Sequence, residues 1–180
     1  MNKGKYYVLS SILLDKHCYY SNGERTINGV YIYPNNYEYS DIREWLNNDF
    51  YNSAFMLGNG FIQTTNVNNA ASTTDSSSNK YACNNTQDKI FLPSYKDYKN
   101  SNYGFSTAND SSDTRLCVVT DWAIAKGAGY STGLYGTYWT RSPGRSECYL
   151  VKTILGSGAL ADRNTEHNNC VRPAMTITIA

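Results

Sequence analysis

The fold is decided first by residues 40–54, SDIREWLNNDFYNSA. Ser40 offers a capping hydroxyl, an acid follows in the first turn, and apolar residues recur three and four positions apart. This pattern predicts a helix from Ser40 to Ala54. Its core-facing side chains should be Ile42, Trp45, Leu46 and Phe50, and we expect Trp45 to be buried.

Strand patterns lie at both ends of the chain. Residues 5–15, KYYVLSSILLD, are rich in β-branched and aromatic residues and predict one buried strand. Residues 171–179, VRPAMTITI, alternate apolar and polar side chains and predict a closing strand. Strands at both termini with helices between them predict an α+β fold with an antiparallel sheet whose first and last strands pair.

Further strands and a hairpin are expected between these ends. Residues 135–141 and 148–155 are strand candidates in the last third, and residues 89–93, KIFLP, predict a brief strand that stops at its proline. The stretch 18–39 has turn residues at 21–23 and 27–29 and predicts a hairpin or an irregular loop.

A polar stretch and a second helix occupy the middle of the chain. Residues 63–87 are almost wholly Thr, Asn, Ser, Ala and Asp, which predicts an exposed loop. Residues 113–126 predict a helix that ends at Gly127, with Leu116, Val119 and Ala123 on one side. Neither a repeat nor a second domain is visible, so residues 1–180 are expected to form one domain.

Charge and hydropathy exclude two classes of partner. Lys and Arg number 16 against 15 Asp and Glu, a net charge of +1, so no long-range field gathers nucleic acid or an anionic membrane. No apolar run reaches the roughly 18–20 residues of a membrane span, and no signal-peptide cleavage pattern follows the short apolar segment 6–14. We therefore expect neither nucleic-acid binding nor membrane insertion.

The 17 tyrosines admit two interpretations. Tyrosine among small polar residues is typical of adaptable binding surfaces, because it offers a large contact area at low entropic cost. Tyrosine is also favoured at strand positions of a β-rich core. For most individual tyrosines we expect the core position.

The five cysteines predict free thiols. Their number is odd and no close C-x-x-C pair occurs, so neither a zinc site nor a disulfide framework is indicated. One pair can still bridge in an exported chain, and the sequence does not place it. Soft-metal binding by Cys148 with Cys170 remains an alternative to two inert thiols. The expectation is no metal and no cofactor.

No arrangement of residues points to catalysis. A nucleophilic triad needs a histidine, and the two candidates are His17 and His167. His167 stands in the polar run 163–169, which indicates a solvated loop histidine in preference to a general base. No spacing singles out a pair of carboxylates. We therefore predict that the domain is not an enzyme.

Four motifs occur in order: residues 40–55, 88–95 (DKIFLPSY), 139–144 (WTRSPG) and 171–174 (VRPA). Together they resemble an uncharacterised domain family of Firmicutes and their phages, which in turn resembles the C-type-lectin-like fold of formylglycine-generating enzymes. The resemblance implies a C-type-lectin-like fold with paired terminal strands and two helices. Two departures from the family are expected: the additional strand that its members usually carry before residues 6–14 is missing or cut away here, and residues 145–170 depart from the small Asn/Gly-rich pattern.

The same motifs contain Trp139, Arg141 and Arg172. A packed indole and arginines that bridge carboxylates or carbonyls are expected there, in preference to a ligand site.

The resemblance also implies a class of function. Some C-type-lectin-like proteins of bacteria and phages are the variable targets of diversity-generating retroelements, in which adenines near the C-terminus of the gene are randomised. Between Cys148 and Cys170, only Lys152 and Glu166 lie outside the residues that randomising the adenines of an AAC codon yields. We therefore expect a non-catalytic ligand-binding module that displays a variable surface on residues 145–169.

The ligand-binding residues expected on this display segment are Arg145, Glu147, Tyr149, Lys152, Ile154, Leu160, Arg163, Asn164, Glu166 and His167. The partner should be a protein or glycan on another cell or virus, and the expected location is a cell surface or phage particle. Two alternatives stay open. One is an enzyme of the formylglycine-generating fold group with an altered site, although the close copper-binding cysteine pair is missing. The other is a structural domain of a longer surface protein.

Overall fold

The computed structural model describes residues 4–21, 23, 25–55 and 59–179, which form many short strands and a few helical turns. The strands are β1 (Gly4–Leu9), β2 (Asp15–Cys18), β3 (Arg25–Ile27), β4 (Val30–Ile32), β5 (Ile62–Gln63), β6 (Thr65–Val67), β7 (Thr86–Asp88), β8 (Ile90–Phe91), β9 (Tyr130–Ser131), β10 (Tyr135–Gly136), β11 (Tyr138–Pro143), β12 (Leu150–Ile154), β13 (Leu160–Asn164), β14 (Asn168–Val171) and β15 (Ala174–Ile179). The helical elements are α1 (Asp41–Trp45), a π-helical turn (Leu46–Phe50), α2 (Tyr51–Ala54), α3 (Asp121–Ala125) and 3₁₀ turns at Asn59–Phe61, Ala71–Thr73, Asp97–Lys99, Ser101–Tyr103 and Asp113–Arg115. The α+β prediction is confirmed.

Two larger sheets contain nine of these described strands, and the other six form the two-stranded pairs β3–β4, β6–β7 and β9–β10. In the first, β15 pairs antiparallel with β1 on one side and with β5 and β8 on the other. The pairing predicted between the first and last strands is therefore confirmed. The second sheet has the order β13-β12-β11-β14-β2, in which only the β11–β14 pair is parallel. Strand β2 therefore lies at one edge of this sheet.

The prediction of one buried strand over residues 5–15 is wrong. The chain leaves the first sheet after Leu9 and enters the second at Asp15. Between them the Ser10 hydroxyl donates to the Ile12 carbonyl oxygen at 2.6 Å, and the Leu13 amide donates to the Val118 carbonyl oxygen at 2.8 Å. A serine hydroxyl that bonds to the local backbone competes with the ladder, so the strand breaks there.

The helix predicted over residues 40–54 is confirmed, but a π-helical turn interrupts it and Trp45 is not fully buried. The Ser40 hydroxyl accepts from the Arg43 amide at 3.3 Å, and Ile42 and Leu46 are fully buried. A π-helical turn interrupts the helix at Leu46–Phe50. Trp45 is only half-buried, which corrects our expectation, because the helix lies at the rim of the core and the ring packs against its edge.

The polar stretch 63–87 is not an exposed loop. Asn69, Asn79 and Thr74 are buried in it, and each makes hydrogen bonds. The Asn79 amide, for example, donates to the Pro143 carbonyl oxygen at 3.0 Å. A stretch with few apolar residues is ordered here by side chains that satisfy backbone groups, as buried polar groups require.

The helix predicted over residues 113–126 is shorter than expected. Residues Asp113–Arg115 form a 3₁₀ turn, and Val119 makes a β-bridge to Leu13. Helix α3 begins after Thr120, whose hydroxyl accepts from the Ala123 amide at 3.2 Å. Gly127, with φ of +84°, ends it as predicted.

The remaining predictions of short elements hold. Residues 28 and 29 form the turn of the β3–β4 hairpin with positive φ at both positions, as Asn-Gly favours. The strands predicted within 89–93, 135–141, 148–155 and 171–179 are present, although Arg172 and Pro173 separate β14 from β15. The turn predicted at 21–23 includes Asn22, which lies outside the described residues.

The family-motif residues are structural, as expected. Trp139 is fully buried and its indole donates to the His17 carbonyl oxygen at 2.8 Å. Arg141 donates to the Leu92 carbonyl oxygen at 2.8 Å and to the Asp97 carboxylate at 3.0 Å. Arg172 donates to the Ser10 carbonyl oxygen at 2.9 Å, so it joins the start of the chain to its end.

Candidate functional site

An exposed loop joins β11 to β12 and rests on one buried asparagine. Asn35 is 0 % exposed, and its side-chain amide lies 3.5 Å from the Gly144 carbonyl oxygen, 3.2 Å from that of Glu147 and 3.1 Å from that of Leu150. Its backbone amide donates to the Cys148 carbonyl oxygen at 2.9 Å. The loop is therefore held from below at both of its ends and in its middle.

The acceptors of these hydrogen bonds are backbone carbonyl oxygens, so the bonds do not depend on the side chains of the loop. The side chain of Arg145 is 67 % exposed, and its closest anionic partner is Asp75, at 3.9 Å. Glu147 is exposed and Tyr149 is 44 % exposed. The loop thus presents three long side chains on a fixed backbone.

A second exposed turn adjoins this loop. The Thr165 amide donates to the Tyr149 carbonyl oxygen at 2.9 Å, while the Asn164 side chain accepts from the Glu166 amide at 3.0 Å. Glu166 and His167 are exposed, so the expected solvated loop histidine is confirmed. The structure thus brings together five of the predicted site residues at one end of the second sheet.

Two tyrosines missed by the sequence analysis extend this region. Tyr33 precedes Asn35 by two residues and is 40 % exposed, and its ring packs edge-on against Tyr31 at 5.2 Å and Tyr81 at 5.0 Å. The alternation of tyrosine and aliphatic residues over 30–33 could have predicted this exposure, because successive side chains of a strand point to opposite faces and Ile32 is buried. We call the exposed region the display surface; it comprises Tyr31, Tyr33, Arg145, Glu147, Tyr149, Glu166 and His167.

The other predicted site residues do not belong to it. Ile154 is fully buried in the core, and Leu160 packs against the same cluster. Both lie at the opposite end of the β12–β13 hairpin from Tyr149, because Ile154 pairs with Leu160 and Leu150 pairs with Asn164. Arg163 is half-buried and donates to the Asp162 carbonyl oxygen, and Asn164 caps its own turn. The display segment is therefore largely a hairpin of the sheet.

Lys152 is an internal ion-pair residue. Its side chain is 13 % exposed, and Nζ lies 2.8 Å from the Asp75 carboxylate and 2.9 Å from that of Asp162. Burial alone would lower the pKa of Lys152, but the hydrogen bonds that its ammonium donates to the two carboxylates outweigh burial, so the pKa is raised. A paired, buried ammonium is not available to a ligand.

The cysteines of the described residues are all free. Burial raises the pKa of the Cys117 thiol to about 11 and that of Cys170 to about 12, which makes both unreactive. No group of three or more His, Cys, Asp or Glu in the described part of the chain is arranged to hold a metal ion.

One cysteine lies near a histidine. The Cys18 sulfur is 3.9 Å from His17 Nδ1, but that nitrogen also lies 2.7 Å from the Cys18 carbonyl oxygen. A carbonyl only accepts, so Nδ1 carries a proton in this arrangement and cannot take one from the thiol. Burial and the Asp41 carboxylate also raise the thiol pKa. This pair is not an activated nucleophile.

The helices of the described ranges are all too short or too polar to cross a bilayer. Comparisons with curated proteins and with solved structures find no match to the chain. A family model does match, over residues 3–179. The chain therefore belongs to the DUF6273 family, a domain of unknown function.

Proposed function

We propose that this domain is a non-catalytic binding module that holds a protein or glycan ligand on its display surface. The observation that carries the proposal is the support of the loop 144–150 by the buried Asn35. A loop whose backbone is already ordered loses little entropy on binding, which favours affinity. Exposed tyrosines beside polar and charged side chains then supply contact area and hydrogen bonds.

The mode of support also favours a surface whose sequence can vary. Asn35 and Thr165 donate their hydrogen bonds to backbone carbonyl oxygens of the loop. The side chains of Arg145, Glu147 and Tyr149 can therefore change without loss of these bonds. This is the property that a target of a diversity-generating retroelement needs. Under the proposal, related genes would differ at the three loop codons and keep the codons of buried residues such as Val151 and Ile154.

A C-type-lectin-like topology is part of the same proposal. Its support is the antiparallel pairing of β1 with β15 and the placement of the helices between these strands in the sequence. The rival of an altered enzyme of the formylglycine-generating group has less support, since the thiols of Cys117 and Cys170 are buried in the core.

The proposal is tested with a glycan array and a panel of intact bacterial cells. The fluorescently labelled domain should bind specific members of these panels, with EDTA present, and with little change between about 50 and 200 mM salt, because no condensed counterions are displaced. Tyr149→Ala should abolish the signal. Tyr130→Ala, which removes a tyrosine that is 52 % exposed outside the display surface, should leave it unchanged. Equal binding by both variants would contradict the proposal.

A further inference from the structure

A groove that shares no lining residue with the display surface lies beside the edge strand β2. One hollow of about 340 Å³ is lined by His17, Asp41, Glu44 and Trp45, and the next, of about 420 Å³, by Asp15, Phe50, Trp122 and Lys126. Both hollows are lined by Trp45 and Asp49, so they lie side by side. One tryptophan comes from α1 and the other from α3. We call this feature the tryptophan groove.

Trp122 is exposed and yet held in one orientation. Its ring is 62 % exposed, and Nε1 donates to the Asp15 carboxylate at 3.2 Å. Lys126 Nζ lies 2.7 Å from the same carboxylate and 5.6 Å from the centre of the indole ring. A large apolar ring that faces water in a fixed position is ready for contact with an apolar group.

Trp45 forms the wall between the hollows. His17 stacks on its indole at 4.9 Å, and Phe50 packs against it at 5.1 Å. These contacts fix the ring from the protein side, while it still lines both hollows. A ligand that follows the groove must therefore pass an aromatic surface at its midpoint.

The charge of the groove is negative in a nearly neutral protein. Among the residues that the structure describes, the first hollow is lined by three carboxylates, those of Asp41, Glu44 and Asp49, and by no Lys or Arg. Arg25 neutralises Asp41 at 3.0 Å, but Glu44 and Asp49 are exposed and have no charged partner within the described residues. Two free carboxylates in a hollow that Trp45 also lines favour a cation through charge.

We propose that the tryptophan groove is a second binding site, which takes an extended segment of a partner protein with lysine or arginine next to an apolar residue. The cationic side chain lies in the first hollow, against Trp45 and between Glu44 and Asp49. The apolar side chain lies in the second hollow, on Trp122 and Phe50. A neutral sugar gains nothing from the two free charges, so charge complementarity selects the basic segment. The site shares no residue with the display surface.

The test uses a fluorescein-labelled peptide of alternating lysine and leucine, with a counterpart in which glutamate replaces lysine. Fluorescence anisotropy should show binding of the lysine peptide alone, weakened by added salt. Glu44→Gln with Asp49→Asn should weaken binding by about tenfold, and Trp122→Ala by about fivefold or more. The matched control is Asp110→Asn with Asp113→Asn, which neutralises two exposed carboxylates outside the groove and should bind as the wild type does.

Four results would overturn the proposal. They are absence of binding by the wild type, equal weakening by the control pair, preference for a neutral oligosaccharide such as chitohexaose, and a dimer at high concentration that Trp122→Ala dissociates. The last two would assign the groove to a glycan or to a second copy of the chain. Because both groove substitutions are at exposed positions, circular dichroism should show wild-type folding in each variant. Groove variants that lose peptide binding but still bind the ligand of the display surface would separate this site from the proposed function.

Discussion

Asn35 lies beneath Glu147 and donates from its side-chain amide to the Glu147 carbonyl oxygen at 3.2 Å. The same amide nitrogen is 3.1 Å from the Leu150 carbonyl oxygen, so one buried side chain joins two points of the loop. The order of the display surface should therefore depend on a residue that no ligand touches.

Asn35→Ala should lower the free energy of unfolding by about 1–3 kcal/mol, since it leaves buried carbonyls without a donor. Amide exchange at Gly144 and Leu150 should also accelerate, because their hydrogen bonds close the same loop. Urea denaturation and hydrogen exchange measure the two effects. Asn52→Ala, at an exposed position, should change neither. Wild-type exchange rates at both amides in Asn35→Ala would show that Asn35 does not order the loop.

Lys152→Met should cost about 2–3 kcal/mol of stability. It leaves Asp75 and Asp162 without their shared cation, and we reduce the usual cost of breaking a buried pair because Asp162 is 31 % exposed. Arg163→Met, at the neighbouring half-buried position, should stay within about 0.5 kcal/mol of wild type. Chemical denaturation compares the two variants. Equal stabilities would mean that the ion pair contributes nothing.

Tyr98 and Tyr138 offer a matched pair of substitutions in the core. Their rings pack edge to face at 5.4 Å, and both are fully buried. The Tyr98 hydroxyl has no hydrogen-bond partner among the described residues, whereas the Tyr138 hydroxyl donates to the Arg115 carbonyl oxygen at 2.7 Å.

Tyr98→Phe should therefore be neutral or stabilising by about 1 kcal/mol, because it removes an unpaired buried hydroxyl. Tyr138→Phe should destabilise by about 1–2 kcal/mol, since it removes the hydroxyl that donates to the Arg115 carbonyl oxygen and accepts from Arg172 Nη1. Thermal melts of the two variants would give the sign of each effect. A clear loss of stability in Tyr98→Phe would reveal a partner for its hydroxyl.

Stability should fall at alkaline pH. Burial raises the pKa of Tyr19, Tyr37, Tyr98 and Tyr138 above the usual value. In the unfolded chain these groups lose their protons near pH 10, while in the folded chain they keep them, so the unfolded state is favoured as pH rises. Each should contribute a slope approaching about 1.4 kcal/mol per pH unit above pH 10.

Urea denaturation at pH 8, 10 and 11 measures this slope. Tyr98→Phe should reduce the slope by the contribution of one buried tyrosine. A free energy of unfolding that is constant from pH 8 to pH 11 would contradict the burial of these phenols.

Local signals in the sequence predicted local structure. Ser40 caps its helix and Asn28-Gly29 turns its hairpin because each effect involves only neighbouring residues. The pairing of the terminal strands also followed from their patterns. The sequence pattern did not predict the break of the first strand at Ser10, because the path of the chain after the local Ser10 bond is fixed by the distant hydrogen bond from Leu13 to Val118.

The sequence could not predict the support of the candidate site. Asn35 bonds to carbonyls more than 100 residues away, and Asn79 to one 64 residues away. A composition of Asn, Ser and Thr indicates low apolar burial, and it does not reveal which amides meet a buried carbonyl. The burial of Lys152 could not be predicted either, because the two carboxylates that bind its ammonium come from other segments of the chain.

Under the proposed function, the loop side chains serve binding and not folding. The triple variant Arg145→Ala, Glu147→Ala and Tyr149→Ala tests it with one hydrogen-exchange and melting experiment, together with the cell and glycan panels. We predict a stability within about 1.5 kcal/mol of wild type, unchanged protection of the Gly144 and Leu150 amides, and loss of binding. A loss of more than about 3 kcal/mol of stability, or binding that persists, would contradict the proposed function.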